Sequence, residues 1–159
     1  MNFGITRKPA DVWFSYIIRF RDNWTCQLCG VADIPRRDGD EQFSIPGPSN
    51  IECMHLVSRG GLYSKVRHDP RNAIAGCHKC HDHYSRNEEK WVKYCQERWG
   101  QQFELMRFFG RQINPTLKYT INGFSEAMKK EVVSVAKKTG RLWVIKSSLK
   151  VSERKKYGV

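Results

Sequence analysis

The stretch Asn72-Ala73-Ile74-Ala75-Gly76-Cys77-His78-Lys79-Cys80-His81 contains a Cys-x-x-Cys pair, and the chain carries an earlier such pair, Cys26 and Cys29, with 47 residues between Cys29 and Cys77. Four thiolates in two pairs are the ligand set of a tetrahedral structural zinc site, with Zn–S bonds of about 2.3 Å. A shared ion would tie distant segments together, and its binding would contribute directly to the free energy of folding. The sequence therefore predicts a structural Zn²⁺ held by Cys26, Cys29, Cys77 and Cys80.

Composition indicates one basic globular domain. The 159 residues are 40% hydrophobic and 12% aromatic, which suffices for a modest core. Lys and Arg outnumber Asp and Glu by 28 to 16, and from residue 126 onward the counts are ten and three. Such charge attracts polyanions, which favours DNA as partner. The alternative is a basic protein without a nucleic-acid partner, whose charged tail is only a solvated face.

The beginning of the sequence shows no apolar run typical of a signal peptide, and no segment reaches the length of a membrane span. We therefore expect a cytoplasmic protein with no membrane partner. In that reducing compartment, paired cysteines bind metals more often than they form disulfides. The remaining cysteines, Cys53 and Cys95, are expected to be small buried apolar side chains.

Hydrophobic periodicity predicts an α+β fold. A helix is expected over 11–22, a strand over 51–57, a return strand over 72–75 and a short helix over 77–86. Further helices are expected over 88–99, 101–109 and 126–138, with a short strand over 142–145 and a loop over 33–50. The sequence accordingly divides into an N-terminal helix (1–25), a zinc-stabilised core (26–100) and a basic helical C-terminal extension (101–159).

The order of His55 at a strand end, Asn72, and His81 directly after Cys-x-x-Cys resembles the HNH endonucleases, also called ββα-metal or His-Me finger endonucleases. Segments 53–61 and 72–81 carry the resemblance, which spans residues 26–86, less than half of the chain. The run before the first cysteine pair is also similar to phage recombination nucleases of the NinG or Rap type. The resemblance implies a small zinc-stabilised ββα-metal core with flanking helices, in the host-cell cytoplasm if the chain is phage-encoded.

The resemblance also implies catalytic roles. Phosphodiester hydrolysis needs a base that deprotonates water and a cation that stabilises the phosphorus centre, and histidine suits the first role near neutral pH. His55 would be the base, and His81 would bind a catalytic divalent ion, Mg²⁺ or Mn²⁺. Asn72 would either orient His55 or bind that ion. Many members carry a metal-binding Asp where this chain has Met54, so the ion would rely on His81, Asn72 or an oxygen donor such as Asp69 or Asp82.

Together these features predict a metal-dependent DNA endonuclease. The resemblance implies products with a 3′-hydroxyl and a 5′-phosphate, and it makes branched recombination or replication intermediates the first substrates to test. Two alternatives stay open: a catalytically silent zinc module that only binds nucleic acid, and a site-specific or nicking HNH enzyme. Phosphate contacts are expected from basic side chains along the chain, namely Arg19, Arg21, Arg59, Lys65, Arg67, Lys137, Lys138, Arg154, Lys155 and Lys156.

Overall fold

The computed structural model describes residues 9–35, 50–57, 66–111 and 121–159. The elements in chain order are α1 (Pro9–Arg21), β1 (Ile51–His55), a 3₁₀ turn (Pro70–Asn72), β2 (Ala73–Cys77), α2 (His78–Ser85), α3 (Glu88–Arg111), α4 (Ile121–Lys138), a 3₁₀ segment (Leu142–Ser148) and α5 (Val151–Tyr157). This mixture of helices and one small antiparallel sheet confirms the α+β class. The identity of the β1–β2–α2 unit as a ββα-metal core stays a prediction. The loop expected over 33–50 lies outside the described residues except at its ends.

The two strands pair antiparallel in a continuous register that runs from Ile51 opposite Cys77 to His55 opposite Ala73. Because side chains alternate along a strand, the sheet presents two different faces. One face, with Ile51, Ala73 and Ala75, belongs to a buried cluster built mainly by α1, α4 and the 3₁₀ segment. The other face, with Met54 and Ile74, packs against α3. The sheet is therefore covered by helices on both sides.

The amphipathic helix α1 contributes most of the first cluster. Trp13, Phe14 and Ile18 are buried there together with Val132 of α4 and Ile145 of the 3₁₀ segment. A polar contact joins the same elements, because the hydroxyl of Tyr16 donates to the carbonyl of Val144 at 3.3 Å and lies 3.3 Å from the hydroxyl of Ser148. Segments predicted as an N-terminal helix and a C-terminal extension thus share one core.

A tight turn leads from α1 to the first cysteine pair. Asn23 and Trp24 have positive φ values of 49° and 54°, which residues other than glycine rarely adopt. The buried Trp24 ring anchors this turn in the core, and Asp22 ties it to the sheet by accepting the backbone N–H of Ala75 at 2.8 Å. The turn therefore places the cysteine pair beside β2.

The helices expected over 88–99 and 101–109 meet at Gly100, whose backbone is non-helical, with φ 29° and ψ −102°, so α3 consists of two helical parts joined at a kink. The strand expected over 142–145 is wrong, because Leu142–Ser148 forms a 3₁₀ segment that buries Ile145 against α1 and α4. Helix α5 was not expected at all. In the described part of the chain, no helix is both long and apolar enough to cross a membrane.

Candidate functional site

The four predicted zinc ligands lie together. The Sγ atoms of Cys26, Cys29, Cys77 and Cys80 are all within 4.8 Å of one another, and none is in a disulfide. The Sγ atoms of Cys29 and Cys77 are 3.8 Å apart, which matches the edge of about 3.8 Å in a tetrahedron with Zn–S bonds of about 2.3 Å. The cluster is therefore compatible with a structural zinc ion.

Local backbone geometry favours the thiolate form of Cys26, whereas burial and the neighbouring thiols raise the pKa of Cys80. The turn after the first pair is closed by Gly30, whose φ of 78° suits glycine and whose N–H donates to the carbonyl of Cys26 at 2.8 Å. Burial acts to raise the pKa of Cys26, but backbone N–H groups, first that of Cys77 and then those of Cys29 and Leu28, outweigh it and lower the pKa from 9.0 to about 7. A thiol that ionises near neutral pH is a ready metal ligand.

His55 ends β1 on the face that packs against α1. Its Nε2 lies 2.8 Å from the carbonyl oxygen of Arg67, and its ring stacks on Phe14 with centroids 5.6 Å apart. Because a carbonyl oxygen can only accept, Nε2 carries the proton, and in the neutral ring the basic lone pair is on Nδ1. The structure thus holds the predicted general base in one defined tautomer.

Asn72 is fully buried, and its amide is saturated by backbone groups. Its Oδ1 accepts the N–H of Val57 at 2.8 Å, while Nδ2 donates to the carbonyls of Val57 and Val66, both at 3.1 Å. These bonds tie the two ends of the segment between β1 and the 3₁₀ turn to each other. This position does not support the predicted role of Asn72 as a metal ligand, because its oxygen is buried and bonded.

His81 lies on α2, above the opposite face of β1 from His55. Its Nδ1 forms a short hydrogen bond with Oε2 of Glu52, and Nδ1 of His78 lies 3.0 Å from Oε1 of the same carboxylate. Burial acts to raise the pKa of Glu52, but the hydrogen bonds from His81 and His78 outweigh it and lower the pKa. The structure therefore pairs His81 with an acidic residue that the sequence analysis missed.

Strand alternation offers the signal that would have found Glu52. It stands two residues before Met54 and so shares its face, where the resemblance places a metal-binding Asp. Met54 itself is buried, and its side chain lies across Gly76, where an added Cβ would sit only 2.2 Å from the sulfur. The expected substitutes Asp69 and Asp82 are engaged elsewhere, with Arg71 and Arg86.

A second buried polar cluster supports His55 from α1. The Asp11 carboxylate accepts hydrogen bonds from Nε and Nη2 of Arg67 at 2.7 and 2.6 Å and from Nε2 of His68 at 2.8 Å. The side chain of His68 is only 17% exposed, and its ring packs edge-on against Phe14. The segment whose carbonyl holds His55 is therefore fastened to α1.

Several basic side chains expected to contact DNA are engaged inside the protein. Arg19 lies over the rings of Tyr16 and Trp24. Arg21 donates to the carbonyls of Pro70 and Ala73, and Arg67 binds Asp11. Arg59 and Lys65 lie outside the described residues. Lys137, Lys138, Lys155 and Lys156 are, by contrast, exposed.

The predicted site residues thus fall into three groups: the cysteine cluster, His55 with its support from α1, and His81 with Glu52. Within the described ranges, the four cysteines are the only group of three or more His, Cys, Asp or Glu side chains with ligand atoms this close together. Comparisons of the chain with protein-family models, with curated proteins and with solved structures give no match.

Proposed function

We propose that this protein is a metal-dependent DNA endonuclease of the HNH type, with His55 as the general base. The observation that carries the proposal is the hydrogen bond from Nε2 of His55 to the carbonyl of Arg67. It commits the proton to Nε2 and leaves Nδ1 as the nitrogen that takes a proton from water. A base of this kind contributes about 10²–10⁴-fold to a hydrolytic rate.

The surroundings of His55 suit this role. The ring is half-buried between β1 and Phe14, and the carbonyl that it bonds belongs to Arg67, whose side chain is held by Asp11. Asn72 closes the segment before Arg67 by joining Val57 to Val66. We therefore assign Asn72 to the support of the loop rather than to metal binding, and Asp11 to the support of the base.

Zinc would hold the four cysteines and with them the start of α2, which carries His81. A catalytic divalent ion would then be held by His81 together with the carboxylate of Glu52, which takes the place of the Asp absent at Met54. A carboxylate with an imidazole suits Mn²⁺, and sites with one or two protein ligands complete their coordination with water and substrate phosphate. Such an ion would stabilise negative charge on the phosphate and the leaving oxygen.

A second candidate is a zinc-containing module that binds nucleic acid without cutting it. The burial of Met54 over Gly76 favours it, because an apolar side chain occupies the position of the usual metal-binding carboxylate. The separation of His55 and Glu52 onto opposite faces of β1 favours it too, because base and cation must act on one phosphate.

A plasmid-nicking assay distinguishes the two candidates. Purified zinc-containing protein is incubated with supercoiled plasmid and Mg²⁺ or Mn²⁺, and a gel follows the nicked and linear forms. We expect His55→Ala to slow cutting by about 10²–10⁴-fold while DNA binding is retained. His83→Ala is the matched control, because His83 is an exposed histidine of α2. Tight DNA binding by the wild type without any metal-dependent cutting would favour the second candidate.

A further inference from the structure

The C-terminal segments carry a dense and one-sided charge. Residues 137–159 contain eight basic side chains and one acidic side chain, Glu153. That single carboxylate is already engaged, because its Oε1 accepts from Nζ of the buried Lys129 at 2.6 Å, and this pairing lowers the pKa of Glu153. The segment thus has almost no acidic partner of its own.

Six of these lysines form a set that we call the α4–α5 basic surface. All six are exposed, and within the described residues none has a carboxylate oxygen within 4.0 Å in any ion pair. The end of α4 carries Lys137 and Lys138, and the 3₁₀ segment carries Lys146. Lys150 directly precedes α5, and the last turn of α5 carries Lys155 and Lys156.

Packing brings charges from two helices together. Nζ of Lys137 on α4 lies 5.1 Å from the ring centre of Tyr157, and Nζ of Lys156 on α5 lies 5.5 Å from the same point. The two ammonium groups are therefore within about 11 Å of each other, close to one Debye length at 0.1 M salt. Exposed charges at this separation repel each other weakly at that salt concentration, and a bound anion would offset the repulsion.

Helix dipoles account for little of this charge. A helix C-terminus carries about half of one negative charge, so the ends of α4 and α5 together offset about one positive charge. The excess over residues 137–159 is seven, since eight basic residues face one acidic residue. Most of the surface charge is thus available for an external polyanion.

We propose that the α4–α5 basic surface binds the phosphate backbone of duplex DNA. This inference rests on the proposed function for the choice of DNA among polyanions. DNA presents about one negative charge per 1.7 Å of helix axis, and lysines neutralise such phosphates without reading the bases. The surface is also rigidly connected to the proposed nuclease site, because the 3₁₀ segment is bonded to Tyr16 of α1, the helix that holds the His55 segment through Asp11.

The salt dependence of DNA binding tests this surface independently of cleavage. The full zinc-containing chain is titrated with a 30-base-pair duplex, without added divalent ions, over a series of salt concentrations. The variant Lys137→Gln/Lys156→Gln is compared with Lys90→Gln/Lys93→Gln, which removes two exposed charges from α3. Each phosphate contact contributes about 0.9 to the slope of log K against log salt, so we expect the first variant to lower the slope by about 1.8 and the second to leave it unchanged.

Any other result of this titration overturns the inference. Equal losses in both variants would show that only net charge matters, and unchanged binding in the first variant would place the DNA elsewhere. Vesicles with anionic lipid and duplex RNA of the same length are titrated in the same way. If either binds more tightly than DNA, and Lys137→Gln/Lys156→Gln weakens that binding, the surface belongs to that ligand. Zinc content and thermal unfolding must match the wild type in both variants. If plasmid cutting fails while the slope changes as expected, the nuclease proposal fails and this surface stands.

Discussion

The carboxylate of Asp11 on α1 receives two hydrogen bonds from the guanidinium of Arg67, from Nε at 2.7 Å and from Nη2 at 2.6 Å. Both side chains are largely buried, with 5% and 12% exposed, and the pairing raises the pKa of Arg67. The backbone carbonyl of the same arginine accepts Nε2–H of His55. An ion pair between two distant segments therefore fixes the acceptor that selects the tautomer of His55.

Asp11→Ala should destabilise the protein by about 3–5 kcal/mol, because it leaves the guanidinium of Arg67 buried without its partner. The double variant Asp11→Ala/Arg67→Met should recover part of this loss, since it removes the unpaired charge. Urea unfolding followed by fluorescence measures both. In Asp11→Asn, imidazole ¹⁵N shifts should show His55 losing its single Nε2–H tautomer. An unchanged tautomer in a folded Asp11→Asn protein would show that Asp11 does not position the base.

The purified protein should contain one zinc ion per chain, and Cys29→Ser or Cys77→Ser should remove it. Metal analysis by mass spectrometry gives the stoichiometry, and circular dichroism during chelation reports folding. Because structural zinc contributes directly to the free energy of folding, the serine variants should unfold at lower temperature. Cys53→Ser, which changes a cysteine outside the cluster, is the control that should keep its zinc. A well-folded Cys29→Ser/Cys77→Ser protein without metal would disprove the structural role.

Glu52→Gln should weaken the binding of the proposed catalytic ion. The neutral amide keeps the size of the side chain but loses the charge that a divalent ion requires, so more Mn²⁺ should be needed for half-maximal plasmid nicking. His81→Ala should behave alike and be partly rescued by additional metal, in contrast to His55→Ala. Glu89→Gln, at an exposed position on α3, is the charge-matched control. Equal metal requirements for Glu52→Gln and Glu89→Gln would exclude Glu52 as a ligand.

Asp69 should make stability depend on pH. Burial acts to raise its pKa, but hydrogen bonds from Arg71 outweigh it and lower the pKa below 3.8. A carboxyl group whose pKa is lower in the folded state stabilises the protein above its unfolded pKa, and this contribution disappears as the pH falls through the folded pKa. Asp69→Asn should therefore lower the melting temperature at pH 7 and have little effect near pH 2. The same loss at both pH values would point to packing instead.

Ile145→Ala should destabilise the protein by about 2–5 kcal/mol, because the side chain is fully buried between α1 and α4. Val151→Ala, at a position that is 78% exposed, should change stability by less than about 0.5 kcal/mol. Thermal unfolding compares the two. The same packing means that removal of residues after 140 would expose α1 as well as remove the charge of the proposed DNA-binding surface. Equal stability of both variants would show that the 3₁₀ segment is not part of the core.

Sequence patterns predicted the features that depend on short spacing. Paired cysteines identified a cluster that the structure brings together. The strand predicted over 142–145 was wrong because a short apolar run is equally typical of a strand and of a buried 3₁₀ segment. Only the packing of the folded chain decides between them.

The supporting polar groups could not be predicted in the same way. Asp11 meets Arg67 across 56 residues, and Glu52 meets His81 across 29, so no local pattern joins either pair. Each contact exists only after α1, β1 and α2 have packed. Sequence reasoning therefore named His55, Asn72 and His81 but assigned a metal-binding role to Asn72 that its burial does not support.

The bond from Tyr16 to the carbonyl of Val144 spans 128 residues and bears on the order of folding during synthesis. Once residue 80 has left the ribosome, all four cysteines can bind zinc, but the apolar side of α1 is still uncovered. At about 5–20 residues per second, the 3₁₀ segment follows about 3–13 seconds later. Only then is α1 packed on both sides. Asp11, which lies on α1 and holds the His55 segment through Arg67, is then fixed as well. A nascent chain would thus bind its metal first and position His55 last, so that the proposed cutting activity would await synthesis of the 3₁₀ segment.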